Sequence, residues 1–173
     1  LSRIVQEMLQ SSAPAPFLMN ISVDGDTLAF DTNDFKVAAG AQVVLVFDNV
    51  STINQHNWVL VKPGTKDDVA ARGTGAGPAN SWILAGDQDV IAHTSLLDPG
   101  TSGEVQFTAP PAGTYQFVCT FPGHNLTMFG DFVVTPSSAT QGKTTELTTT
   151  PLAFATPVPT PTPALRPAPT PKP

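Results

Sequence analysis

Apolar and polar positions alternate in short runs through the middle of the chain. Phe17–Val23, Gln42–Phe47, Glu104–Thr108, Thr114–Val118 and Gly130–Thr135 are each alternating or rich in β-branched residues, and Trp58–Val61 is apolar throughout. Turn clusters separate them: Asp24-Gly25-Asp26, Ala39-Gly40, Asp98-Pro99-Gly100 and Pro110–Gly113. Short strands at this spacing predict an all-β sandwich or barrel over residues 17–135. The long Gly/Ala-rich stretch from Pro63 to Asp89 reads as an insertion between strands, with one or two helical turns at Lys66–Arg72.

The two ends have a different texture. In residues 1–16, Leu1, Ile4, Val5, Met8 and Leu9 fall on one face of a helix, and Ala-Pro-Ala-Pro (13–16) ends it. A helix packed on the domain is the plain expectation for this leader, and docking on a membrane or partner the sharper one. Residues 136–173 hold ten of the 18 prolines, many threonines and few large apolar side chains. Such a segment buries too little surface to fold, so a disordered, partly polyproline tail is expected, serving as spacer or as passive solvated chain.

Charge narrows the partners. The net charge is -6, with 8 Lys and Arg against 14 Asp and Glu, and no basic cluster of the kind that grips nucleic acid is present. No apolar run is long enough to cross a bilayer, and no basic segment followed by an apolar core opens the chain. Because the chain starts at Leu1, the expectation is a processed or engineered product or a fragment whose targeting segment has been removed, and a lost N-terminal anchor is expected with it.

The chemistry concentrates in one segment, Cys119-Thr-Phe-Pro-Gly-His124-Asn-Leu-Thr-Met128. A strand delivers Cys119 at its end, Pro122-Gly123 forces a turn, and His124 and Met128 follow before the next strand. Taken singly, a lone cysteine or methionine is more often core and a lone histidine a loop residue. On one tight loop the three can converge on a single ion. Their softness favours copper over magnesium or calcium, and two histidines, a cysteinate and a long axial methionine make the blue-copper arrangement. The second histidine must come from elsewhere. His56, at a loop–strand junction before Trp58–Val61, is favoured over His93, which sits within an alternating run and is read as structural.

Residues 42–135 resemble the azurin and auracyanin branch of the cupredoxins. Gln55-His56-Asn57-Trp58-Val59-Leu60-Val61 is similar to the first-histidine segment of auracyanins. Val90-Ile91-Ala92-His93-Thr94 resembles an azurin segment, and Gly113-Thr114-Tyr115 with Cys119–His124 is shared in character by both. The resemblance implies a Greek-key β-sandwich with one copper ion near one end, held by His56, Cys119, His124 and Met128. It further implies that Asn57 links the two ligand loops, that the Phe121 amide donates to the Cys119 sulfur while Pro122 withholds a donor, and that the Gln55 carbonyl lies weakly opposite Met128. Three departures stand out. The azurin disulfide cannot form with one cysteine, the His124-to-Met128 spacing follows azurins rather than auracyanins, and Phe129 stands where both groups typically place lysine.

From this set the expected function is one-electron transfer, with His124 as the electron port and Phe121, Pro122, Leu126 and Phe129 as an apolar docking rim. A multicopper oxidase or reductase needs further histidine clusters, and three histidines cannot supply them. Copper storage or delivery calls for exposed, exchangeable sulfur ligands, unlike this closed set. The kinship implies a photosynthetic or respiratory chain, with a quinol-oxidising complex as donor and a cytochrome, reaction centre or oxidase as acceptor. It also implies a monomer at the periplasmic or outer face of the cytoplasmic membrane. Trp58 and Trp82 are expected to pack rather than relay electrons. The Asn-x-Ser/Thr triplets at Asn20, Asn49 and Asn125 are short enough to arise by chance.

Overall fold

The alternation of β3 (Gln42–Asn49) sets the frame. Val43, Leu45 and Phe47 point inward and are buried, while Val44 and Val46 between them are only half-buried. β3 lies between β1 (Phe17–Ser22), with which it runs parallel, and β6 (Thr101–Thr108), with which it runs antiparallel. A second sheet has the order β2 (Asp34–Ala38), β8 (Phe129–Thr135), β7 (Gly113–Val118), β4 (Val59–Val61), β5 (Val90–His93). The computed structural model describes residues 15–137. The readings made of the leader and the tail lie outside these residues, apart from 15–16 and 136–137.

The inner faces of the two sheets share one core. Met19, Ile21, Val43, Leu45 and Phe47 from the first sheet meet Val37, Leu60, Phe117, Phe132 and Val134 from the second. Each such burial contributes about 1.5–3 kcal/mol. Trp58 is fully buried and stacks between Phe107 and Phe117, with ring centroids 5.9 and 6.0 Å away. The result is an all-β, Greek-key sandwich.

β4 shows why Trp58–Val61 is apolar without a break. Leu60 faces the main core, whereas Val59 and Val61 face outward into a second cluster with Val69, Ile83 and Val118. Val69 belongs to a helix, α1 (Lys66–Ala76), which covers the outer side of β4 and β7. The β4–β5 insertion therefore forms a third layer over part of the second sheet.

Several elements differ from the sequence reading. α1 runs to Ala76, past Arg72 and through Gly73 and Gly75. Gly73 has a tertiary role, since a Cβ there would stand 2.0 Å from the Trp82 carbonyl oxygen. β6 begins at Thr101, its first residues paired to Asp48 and Asn49. β2 lay in no strand-like run, because Asp-Phe-Lys-Val-Ala is short and charged; parallel pairing with β8 makes it a strand. β5 likewise becomes an edge strand by pairing with β4.

Candidate metal centre

β7 and β8 deliver the cysteine and methionine together. Their antiparallel pairing ends at Val118–Phe129, and the Cys119 N–H donates to the Met128 carbonyl at 3.0 Å, extending it by one step. The loop between them is self-braced. Gly123 sits at φ 85°, in the left-handed region open to glycine, and starts a 3-10 turn over His124–Leu126. The His124 N–H donates to the Phe121 carbonyl at 2.9 Å, and the Met128 N–H to the His124 carbonyl at 2.8 Å.

His56 arrives from the segment before β4, fixed by its main chain. Its N–H donates to the Leu97 carbonyl at 3.1 Å and the Leu97 N–H donates back at 2.8 Å. The Asn49 carboxamide ties the same corner by donating to the Asn54 and Leu97 carbonyls.

These elements converge on one point. His56 Nδ1 and His124 Nδ1 are 3.2 Å apart, and Cys119 Sγ stands 3.8 and 3.6 Å from them. His56 and Cys119 are fully buried and His124 is 6% exposed, at the edge nearest solvent. Met128 is fully buried in the core cluster that also holds Cys119. Among the described residues this is the one grouping of three metal-ligating side chains of this kind. His93 is elsewhere, exposed on β5 with its Nδ1 against the Thr94 carbonyl.

The triangle fits an ion. A first-row cation with bonds of about 2.0 Å to nitrogen and about 2.3 Å to sulfur, in a trigonal plane, sets its ligand atoms about 3.5 Å (N–N) and 3.7 Å (N–S) apart. The observed edges lie within a few tenths of an ångström of these. Burial sets the charge state. It pushes the Cys119 thiol up to about 11, with the backbone N–H groups of Asn57 and Phe121 at the sulfur acting in the opposite sense. Burial, and then the nearby His124, bring His56 down to about 4, and burial lowers His124 as well. At neutral pH both imidazoles are therefore free of extra protons, as ligands must be, and a soft ion would displace the thiol proton.

Asn57 is the hinge pin between the two ligand segments. Its Oδ1 accepts from the Thr120 N–H and its Nδ2 donates to Thr120 Oγ1, both at 2.8 Å, and to the Ser81 carbonyl at 2.8 Å. The Ser81 contact was not legible in the sequence, since nothing local marks residue 81 as a neighbour of residue 57. Gln55 is half-buried and donates through Nε2 to Asp98 at 2.6 Å. Around the loop, the Phe121 ring lies 4.5 Å from that of His124, and Trp82 packs edge-on against Phe121 at 5.7 Å. Pro122 is half-buried, and Leu126 and Phe129 are exposed at 72% and 36%. Of the triplet asparagines, Asn49 is buried.

A two-sheet sandwich with two imidazoles and a thiol converging at one end of the core defines a copper protein of the cupredoxin class. The chain belongs to the family of copper binding proteins that includes plastocyanin and azurin, whose sequence profile matches residues 18–135. The family comprises blue-copper electron carriers. The chain is 42% identical over 125 residues to auracyanin-A of Chloroflexus aurantiacus, covering 71% of this chain and 77% of that one. It is 42% identical over 117 residues to auracyanin-B of the same organism, covering 64% and 49% respectively. The crystal structure of dithionite-reduced auracyanin from Roseiflexus castenholzii superposes with a TM-score of 0.68 at 39% identity, covering 71% of this chain and all of that one.

Proposed function

We propose that the protein is a one-electron carrier, not an enzyme, whose single copper ion is held by His56, Cys119, His124 and Met128. The observation that carries this is the buried triangle of His56 Nδ1, Cys119 Sγ and His124 Nδ1, with edges of 3.2, 3.6 and 3.8 Å. When bound, the copper supplies a Cu(I)/Cu(II) couple. The chain's residues do the rest. Cys119, His56 and His124 would hold the copper, with the Met128 thioether and the Gln55 carbonyl as further, weaker donors. The Asn57 and Phe121 amides stabilise the thiolate, and the doubled link from Asn57 to Thr120 keeps the ligand segments in place when the charge changes.

His124 is the electron port, because it is the ligand nearest solvent. Phe121, Pro122, Leu126 and Phe129 form the docking rim around it, a small patch suited to brief encounters. The partners are redox proteins: a quinol-oxidising complex as donor, and a cytochrome, reaction centre or oxidase as acceptor. A place in a photosynthetic chain is favoured by the auracyanin relatives, one of whose solved structures is described as from a photosynthetic bacterium. The carrier would work as a monomer, tethered or mobile, at the periplasmic or outer face of the cytoplasmic membrane.

The test is the visible spectrum of the full chain after adding Cu(II), with Cys119→Ser beside it. An intense blue or green band lost in the variant supports the reading. A pale complex that is the same in both would mean adventitious copper and would remove the basis for electron transfer.

A further inference from the structure

The first turn of α1 reaches the metal loop through Lys66 and its neighbour Asp67. Lys66 Nζ donates to the Asn125 carbonyl at 3.3 Å and to Asp67 Oδ1 at 2.7 Å, and it stands 4.3 Å from the centre of the Phe129 ring. Asp67 Oδ1 in turn accepts from the Asn125 side-chain amide at 2.9 Å. Asn125 follows His124 and Phe129 follows Met128, so one ammonium group touches the neighbours of two proposed ligands.

Lys66 is poorly placed for the helix itself. It is the first residue of α1, where the helix dipole disfavours a cation, and the Lys66 side chain is only 15% exposed. The Asn125 carbonyl and the face of the Phe129 ring offset that cost from outside the helix, and the Asp67 carboxylate offsets it from within the same turn.

We propose that Lys66 is a positioning residue that latches the metal loop from outside, fixing residues 124–129 against α1 and placing a positive charge beside the copper site. This rests on the reading of residues 119–128 as the metal loop. The latch explains how the ten-residue loop 119–128 between two strands stays ordered with Leu126, and Phe129 at its end, facing solvent. It also makes the β4–β5 insertion part of the site rather than a cover for the sheet alone. Because the Asp67 carboxylate pairs with this ammonium and also touches Asn125, removing the ammonium leaves a negative charge beside the loop and favours Cu(II), the form with one positive charge more.

The experiment compares Lys66→Met and Lys66→Arg with the unaltered full chain. In copper-free protein, amide hydrogen exchange at residues 125–128 is expected to be about three- to tenfold faster in Lys66→Met, with β3 amides unchanged and Lys66→Arg near the unaltered rate. In copper-loaded protein, the Cu(I)/Cu(II) affinity ratio of Lys66→Met is expected to fall about threefold, or about 28 mV at 59 mV per tenfold. Unchanged exchange in Lys66→Met would overturn the latch, whatever the potential does. An unmoved potential would overturn the role of the charge. Failure of the copper reading would appear separately, as a colour that does not depend on Cys119.

Discussion

Asn57 and Thr120 are joined twice, by the Thr120 N–H donating to Asn57 Oδ1 and by Asn57 Nδ2 donating to Thr120 Oγ1, each at 2.8 Å. The two residues are 63 positions apart, and each is adjacent to a proposed ligand, His56 or Cys119. The pair is fully buried, so every bond lost there leaves a polar group without water to replace its partner.

Asn57→Leu is therefore expected to destabilise the protein by about 2–4 kcal/mol, since it strands the Thr120 N–H and hydroxyl and the Ser81 carbonyl together. Denaturant unfolding of the copper-free chain measures the loss. A change below about 0.5 kcal/mol would mean that the two segments are held by packing alone.

Copper uptake is expected to release a proton from Cys119. The thiol, pushed up to about 11, is protonated in the copper-free protein near neutral pH, whereas the ligand is the thiolate. His56, brought down to about 4, adds no competing proton above about pH 5. Rising pH therefore removes a competitor, and apparent Cu(II) affinity is expected to climb about tenfold per pH unit between pH 6 and 9. Competition titrations against a chelator of known protonation measure the slope. A flat profile would exclude Cys119 as a ligand.

Met128→Leu separates packing from ligation. Both side chains have similar volume, so the copper-free stability is expected to stay within about 1.5 kcal/mol. Loss of the thioether removes an electron donor that helps the more positive ion, so the reduction potential is expected to rise. Voltammetry on the loaded variant reads the sign; an unchanged potential would place Met128 in the core and not on the metal axis.

Gly130→Ala tests the approach of strands beside the site. A Cβ at Gly130 would stand 2.3 Å from Phe117 Cζ and 2.4 Å from the Asn33 carbonyl oxygen. The ring can tilt but the carbonyl is main chain, and the Asp131 N–H donates to that same oxygen at 2.7 Å. A loss of about 2–3 kcal/mol is expected in thermal or denaturant unfolding. A neutral result would mean that the segment before β2 shifts freely.

Much of this was legible in the sequence because it is local. The alternation of Val43, Leu45 and Phe47, or of Phe132 and Val134, names an inner face wherever one side of a strand is buried. Cys119, His124 and Met128 lie within ten residues around Pro-Gly, so their convergence needs only one tight turn. β2 escaped notice for the opposite reason: its strand character comes from β8, about a hundred residues away, and three of its own five residues are charged or small.

The strand faces, the copper-type donor set and the turn that gathers three of its members are written locally in the chain, since side-chain chemistry and period-two patterning act within a few residues. The edges of the triangle, the depth of its burial and the contacts that brace it arise only on folding. His56 reaches Cys119, Asn57 reaches Ser81 and Lys66 reaches Phe129 because sheet pairing and the packing of α1 on β4 and β7 bring distant segments together. Such contacts depend on the whole fold's packing, and no short window of residues encodes them.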